Sequence, residues 1–331
     1  MNSLTHNSQM MPSVPVSSDA GVVLAFDVGG TDMKVGLVVG DLGVASHEVL
    51  DLQRHRTPLD GARSGDTVCA RIVELFHEYA QAHPQQKIAA VGVTVPGIVD
   101  EINGVGIYSA NLGWQNYPFT ATLTAALGVP VAFGHDVAMA GEAEFNLGAA
   151  TGKSDVAVLV IGTGIAGAFF ADGHRIQGAG YAGEVGHALV PGPDGKLVIL
   201  ESLASAGGIA RRYGEACGTV VGGARQVLER ARAGDVTAVR IWAEAVDALA
   251  FSVAQCVAML GTNTVVLGGG LSMAGSDLFV PLARRVDELL TFQRRPDYVP
   301  ASLGENAGLI GSALKARSLL TGGTLLTGGT L

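Results

Sequence analysis

Three short glycine stretches stand directly after apolar runs: Asp27-Val28-Gly29-Gly30-Thr31, Gly162-Thr163-Gly164 and Gly268-Gly269-Gly270. Glycine lacks a Cβ, so the backbone N–H groups of such turns can approach an oxyanion closely, which suits a phosphate cradle. Thr31 and Thr163 add hydroxyl donors, and Lys34 joins the same nucleotide- and phosphate-binding candidates. Asp27 beside a phosphate would repel it unless a cation intervened, so it suits Mg²⁺, directly or through water. Each turn taken singly is equally a tight hairpin; the three together are the stronger signal. Neither GxxxxGK followed by Ser or Thr nor GxGxxG is present, which speaks against P-loop and Rossmann sites.

The elements that would hold these turns can be read from hydrophobic patterning. Val22–Phe26 and Met33–Val39 flank the first turn as a β-hairpin. Val68, Ile72, Leu75, Phe76 and Tyr79 recur at helical spacing over 68–82, and 88–95 reads as a buried strand ending at Pro96-Gly97. A short helix over 123–127, a strand over 129–133 and a helix from Asp136 to about Leu147 follow. A second hairpin at 156–172 repeats the pattern of strand, glycine turn and strand, so two related halves are expected. Trp242, Val246, Leu249, Val253, Val257 and Leu260 form one face of a long helix. Thr264–Leu267 is a buried strand entering the third turn, and 309–318 is a last helix.

Composition bounds the function. The 331 residues carry 21 Lys and Arg against 30 Asp and Glu, a formal net charge of −9, and the sequence pI is about 5.3. That balance argues against a nucleic-acid or membrane-surface partner. With 48% hydrophobic and 15% charged residues the chain is too apolar for disorder, and its length favours two lobes. Mean hydropathy is +0.36, yet the uncharged stretches 156–171 and 248–276 are broken by glycine turns and by Gln255 and Asn263, so they read as buried elements. Cys69, Cys217 and Cys256 offer neither paired disulfides nor CxxC spacing, which fits a reducing cytoplasm. Residues 1–20 are Ser- and Pro-rich without a signal-peptide pattern and read as a flexible leader. Residues 321–331, repeating Thr-Gly-Gly-Thr-Leu, read as a flexible tail.

Several of these segments together resemble the ROK family (repressors, open reading frames, kinases) of the actin/hexokinase/Hsp70-like ATPase superfamily. They are Asp27–Thr31, Val95-Pro96-Gly97-Ile98-Val99-Asp100, Ser109-Ala110-Asn111-Leu112-Gly113-Trp114, Glu184-Val185-Gly186-His187, Leu200–Ser205 and Val266–Gly270. They occur in the family's order from about Val22 to about Leu314. The resemblance implies an α/β fold with two lobes and an interlobe cleft, the actin-like (ribonuclease H-like) ATPase fold. The smaller lobe would comprise 21–134 plus about 306–320, and the larger 135–305.

The chemistry implied is transfer of the γ-phosphate of ATP, with Mg²⁺, to a hydroxyl of a glucose-like hexose, the 6-hydroxyl being the expected acceptor. Asp136 stands where the family has its general base. Local sequence offers it a second reading as a helix N-cap. The resemblance nominates Gly97, Asn111, His135, Glu184, His187 and Glu201, with Asp136, for the sugar; carboxylates, amides and imidazole can pair with adjacent hydroxyls. Glu201 between Leu200 and Leu203 also has a plain structural reading. It implies, too, a homodimer.

Two departures matter. The family commonly follows its ExGH histidine with CxCGxxGC to bind zinc, but 188–200 holds no cysteine, so no structural zinc is expected with His187. His135 replaces the usual Asn, which bears on sugar choice and on Asp136. Polyphosphate as donor and a non-catalytic regulator are the alternatives. The roughly twenty residues ahead of the first strand are few for a helix-turn-helix unit.

Overall fold

The computed structural model describes residues 22–41 and 46–320; the expected leader at 1–20 and tail at 321–331 lie outside the described residues. The first hairpin forms as expected: β1 (Val22–Val28) and β2 (Asp32–Asp41) run antiparallel, with Asp27 opposite Lys34. β3 (Ser46–Arg56) extends this ribbon at the sheet edge, a strand the polar run of its sequence concealed. α1 (Ser64–Ala82) buries Val68, Ile72, Leu75 and Tyr79 in the core that β1 and β2 contribute to. β4 (Ile88–Val95) pairs parallel with β1. A small sheet of β5 (Ile98–Asp100), β6 (Val105–Tyr108) and β7 (Gln115–Tyr117) follows. α2 (Phe119–Leu127) leads to β8 (Val131–His135), parallel to β4, and α3 (Asp136–Asn146) starts at once.

The second half repeats the plan. β9 (Val156–Ile161) and β10 (Ile165–Ala171) are antiparallel around the Gly162–Gly164 turn, and β11 (His174–Arg175) extends them. A separate ribbon, β12 (Leu189–Pro191) and β13 (Leu197–Ile199), precedes α4 (Leu200–Ala204), α5 (Ala206–Cys217), α6 (Ala224–Arg232) and α7 (Val236–Leu260). β14 (Thr264–Gly268), α8 (Ser276–Leu289), β15 (Asp297–Pro300) and α9 (Ala307–Leu320) complete the order.

The two five-stranded sheets have orders β3-β2-β1-β4-β8 and β11-β10-β9-β14-β15. Each is an antiparallel ribbon of three strands joined to two parallel strands, so the repeated halves read from the two hairpins are present. α7 is long and apolar enough to cross a bilayer by length and composition, but Ile241, Trp242, Leu249 and Val253 are buried in the core of the second half. α9 returns to the first sheet, where Leu309, Ile310, Ala313 and Leu314 pack with Val23, Ala25, Ala90 and Ala132. It also crosses α3 in backbone contact: a Cβ on Gly311 would lie 1.9 Å from the Met139 carbonyl oxygen. No other residue fits that crossing.

Candidate active site

β8 ends at His135, two residues later than its apolar run suggested, and this decides the cap of α3. His135, not Asp136, is the N-cap: its Nδ1 accepts the Ala138 N–H at 3.3 Å. Asp136 is therefore the first helical residue, and its carboxylate is not needed to cap the helix from outside. Its Oδ1 accepts the Val137 N–H at 2.7 Å and faces His135 Nε2 at 3.3 Å. Oδ2 has no hydrogen-bond partner among the described residues. Removal from bulk water raises the Asp136 pKa, and the charges of Asp27 and Glu184 push the same way. His135 and the Val137 amide oppose them. The Asp136 side chain keeps 30% exposure.

Glu184, His187 and Glu201 come together on the other side of His135. Glu184 Oε1 lies 3.8 Å from His135 Nε2, and its Oε2 lies 3.6 Å from His187 Nδ1. His187 Nε2 lies 3.9 Å from Glu201 Oε1. Carboxylates and imidazoles thus alternate from Asp136 through His135, Glu184 and His187 to Glu201. The β12–β13 ribbon makes the last step possible. It pairs Leu189 with Ile199, and the Leu200 N–H donates to the Ala188 carbonyl, so the residues just outside its base meet. The ribbon turn closes through Gly192 N–H to the Lys196 carbonyl at 2.7 Å.

The cysteine-based zinc set of the family's motif is not present beside His187. His187 has two carboxylates beside it and no thiolate, and among the described residues no group of three or more His, Cys, Asp or Glu is arranged for a metal. Asn111 is exposed in the turn that Gly113 N–H closes onto the Ser109 carbonyl, and no hydrogen bond or ion pair joins it or Gly97 to the cluster. Gly97 lies between β4 and β5, against the Tyr108 carbonyl.

A cavity of about 600 Å³ has Asp136 in its wall but none of His135, Glu184, His187 and Glu201. Its walls include Asp27, Val137, Glu144, Val160, Gly268–Gly270 and Gly308. A second cavity of about 390 Å³ shares Gly270 and Met273 with it. Gly269 has φ +77, and a Cβ there would meet the Ile161 backbone at 2.5 Å, so the third turn requires glycine. The Gly29–Thr31 and Gly162–Gly164 turns are not among the residues lining this cavity. Gly30, Thr31, Thr163 and Gly164 are exposed.

The first turn is pinned by a residue that sequence reasoning missed. Thr57 is buried, donates Oγ1–H to the Gly29 carbonyl at 2.7 Å and N–H to the Thr31 carbonyl at 2.9 Å. No local pattern marks it, because the contact joins the residue after β3 to a turn twenty-odd residues earlier. Glu144 was missed as well. It is 1% exposed and accepts from Ala149, Ser302 and Leu303 N–H groups and from the Ser302 hydroxyl. Asp27 accepts from Thr94 Oγ1 at 3.2 Å and pairs with Lys34 at 3.4 Å. A hard-oxygen carboxylate so placed, close enough to Asp136 to raise its pKa, fits a Mg²⁺ held mainly by nucleotide phosphates.

The ROK family profile matches residues 23–318. The chain belongs to the ROK family. The two-lobed α/β actin-like fold expected from the sequence is the fold observed. The bifunctional enzyme NanE/NanK of Brucella melitensis is 36% identical over 292 residues, 88% of this chain and 53% of that protein. The chain thus spans about half the length of that relative. The glucokinase of Thermotoga maritima is 30% identical over 314 residues, 88% of this chain and 96% of that protein. The ROK family glucokinase of Streptomyces griseus, solved in complex with glucose and AMPPNP, superposes with a TM-score of 0.71 at 25% identity, over 90% of this chain and 100% of that one.

Proposed function

We propose that this ROK protein is an ATP-dependent sugar kinase that transfers the γ-phosphate of ATP to a hydroxyl of a glucose-like hexose, the 6-hydroxyl, with Asp136 as general base. One observation carries the reading. A carboxylate of raised pKa with one uncommitted oxygen stands between a carboxylate–imidazole cluster and a large cavity edged by Gly268–Gly270. Glu184, His187 and Glu201, with Asn111 and Gly97 from the opposite lobe, would hold adjacent hydroxyls. Oδ2 of Asp136 takes the proton of the attacking hydroxyl as its oxygen bonds to the γ-phosphorus and ADP leaves. Asp27, through water, and the Thr31, Thr163, Lys34 and glycine-turn donors would hold the phosphates. Mg²⁺, if held there by Asp27 through water, would neutralise charge that builds up during transfer.

ATP is favoured over polyphosphate by the cavity walls, which carry Asp27, Asp136, Glu144 and Glu305 and neither Lys nor Arg. A long polyanion needs a basic track; a nucleotide can be held by backbone amides. The proposal also takes in the lobe limits, 21–134 with 306–320 against 135–305, a homodimer, and a cytoplasmic setting. The last agrees with three free cysteines, of which Cys69 and Cys256 are buried, their thiol pKa values pushed up to about 12 and about 11.

The test is a coupled ADP-release assay across glucose, mannose, fructose, allose and N-acetylated amino sugars, with ATP and polyphosphate in parallel. Sugar-dependent ADP release is expected. A sugar that binds by calorimetry without ADP release from any donor would replace the kinase reading with that of a sugar-binding regulator.

A further inference from the structure

We propose that His135 is a positioning residue that sets the proton-accepting Asp136 beside Glu184, through an imidazole tautomer imposed by helix α3. It deepens the kinase reading above and rests on it. The argument begins at Nδ1, which accepts the Ala138 N–H at 3.3 Å and so carries no proton in that arrangement. A neutral imidazole then has its proton on Nε2. That nitrogen lies 3.3 Å from Asp136 Oδ1 and 3.8 Å from Glu184 Oε1, and both oxygens are acceptors. The helix cap therefore selects the tautomer that can donate into the site.

The consequence falls on Asp136. Its Oδ1 accepts the Val137 N–H at 2.7 Å and has the imidazole Nε2 3.3 Å away as a charge contact, which leaves Oδ2 as the oxygen available to a hydroxyl. The second consequence concerns Glu184, which lies on the segment between β11 and β12, while Asp136 heads α3. With His135 between them, the hydroxyl-binding carboxylate and the base share one neighbour, and the sugar is registered against the base through it. The groups facing His135 are these two carboxylates and the α3 amide, with Asp27 beyond Asp136 and His187 beyond Glu184.

Two substitutions separate the roles of the ring. In His135→Asn the side-chain oxygen can take the place of Nδ1 and keep the cap, but nothing reaches to the Nε2 position. In His135→Gln the amide nitrogen can reach the Nε2 position, but the cap is lost. The expected result is that His135→Asn keeps the melting temperature within a couple of degrees and lowers kcat about tenfold with a smaller change in sugar KM, the loss of the polar Nε2 contact with a charged group. His135→Gln should keep kcat within a few-fold and melt about 2–4 °C lower, the loss of a cap. The reverse pattern would reduce His135 to a helix cap and overturn the proposal.

Long-range ¹H–¹⁵N correlation of the wild-type protein near neutral pH, assigned by the signal missing in His135→Asn, should show a bare Nδ1 and a protonated Nε2. A protonated Nδ1 would overturn the proposal by itself, whatever the activity. Absence of any sugar-dependent ADP release from the wild type would instead remove the kinase reading and leave the tautomer result standing.

Discussion

Replacing Asp136 by Asn separates two quantities that most active-site substitutions confound. In the native site Oδ1 accepts from the Val137 amide and faces the imidazole, so an Asn side chain must present its oxygen there and its NH₂ at the Oδ2 position. That NH₂ can still donate to a sugar hydroxyl oxygen, so KM for the sugar should stay within a few-fold. It cannot accept the hydroxyl proton. The loss expected for a general base is about 10²- to 10⁴-fold in kcat, or about 3–5 kcal/mol on the barrier.

Stability should move the other way. A carboxylate whose folded pKa lies above its unfolded value is disfavoured as an anion in the fold, so its ionisation costs stability at pH values above the folded pKa. Asp136→Asn removes that cost and should melt at or above the wild-type temperature at pH 7. Steady-state ADP release with sugar titrations, beside a thermal melt, reads all three values. A variant with wild-type kcat would refute the base assignment, and one that loses sugar affinity in proportion to kcat would show that Asp136 is a binding residue only.

Three further outcomes follow from the same geometry. Because desolvation, Asp27 and Glu184 raise the Asp136 pKa, the acid limb of the kcat/KM profile should lie above the ordinary carboxylate range; a limb at or below that range would refute the shift. Glu144→Ala strips the acceptor from three backbone N–H groups and a hydroxyl, so a loss of about 3–5 kcal/mol is expected. That corresponds to roughly 10 °C in the melt, with Glu144→Gln much milder, and a change below about 1 kcal/mol in Glu144→Ala would contradict it. Atomic absorption on the purified protein should find no stoichiometric zinc, since His187 is flanked by carboxylates instead of thiolates; one zinc per chain would show the donor set was misjudged.

What could be read in advance was what is local in the chain. The bounds of β4 at 88–95 are legible because a largely apolar run is followed by Pro96-Gly97, a stop written in neighbouring residues. The two hairpins were legible for the same reason, and their likeness exposed the repeated halves. β3 was not, since its outward side is polar and its pairing with β2 is decided by the sheet. β15, four residues long, has too few positions for a period to show. In the site, Asp27 and Asp136 stood out by position in recognisable motifs. The contacts of His135 with Glu184, of Thr57 with the first turn and of Glu144 with Ser302 join residues 28 to 158 positions apart, and no window along the chain contains both partners. Even the cap of α3 turned on whether the strand ended two residues sooner.

The crossing of α3 and α9 at Gly311 has a mechanical meaning. At that point main chain meets main chain, and the cluster beside it includes the small side chains Ala143, Ala313 and Ala316. Met139 lies three residues from Asp136, about 4.5 Å along the helix. A swing of about 15° centred there would carry the base roughly 1 Å, whereas atoms 20 Å from the joint would travel about 5 Å. Were one half of the molecule to swing against the other at this crossing, the fulcrum would sit almost under the proton acceptor, and the cleft walls would open for exchange of reactants while the reactive oxygen kept its place.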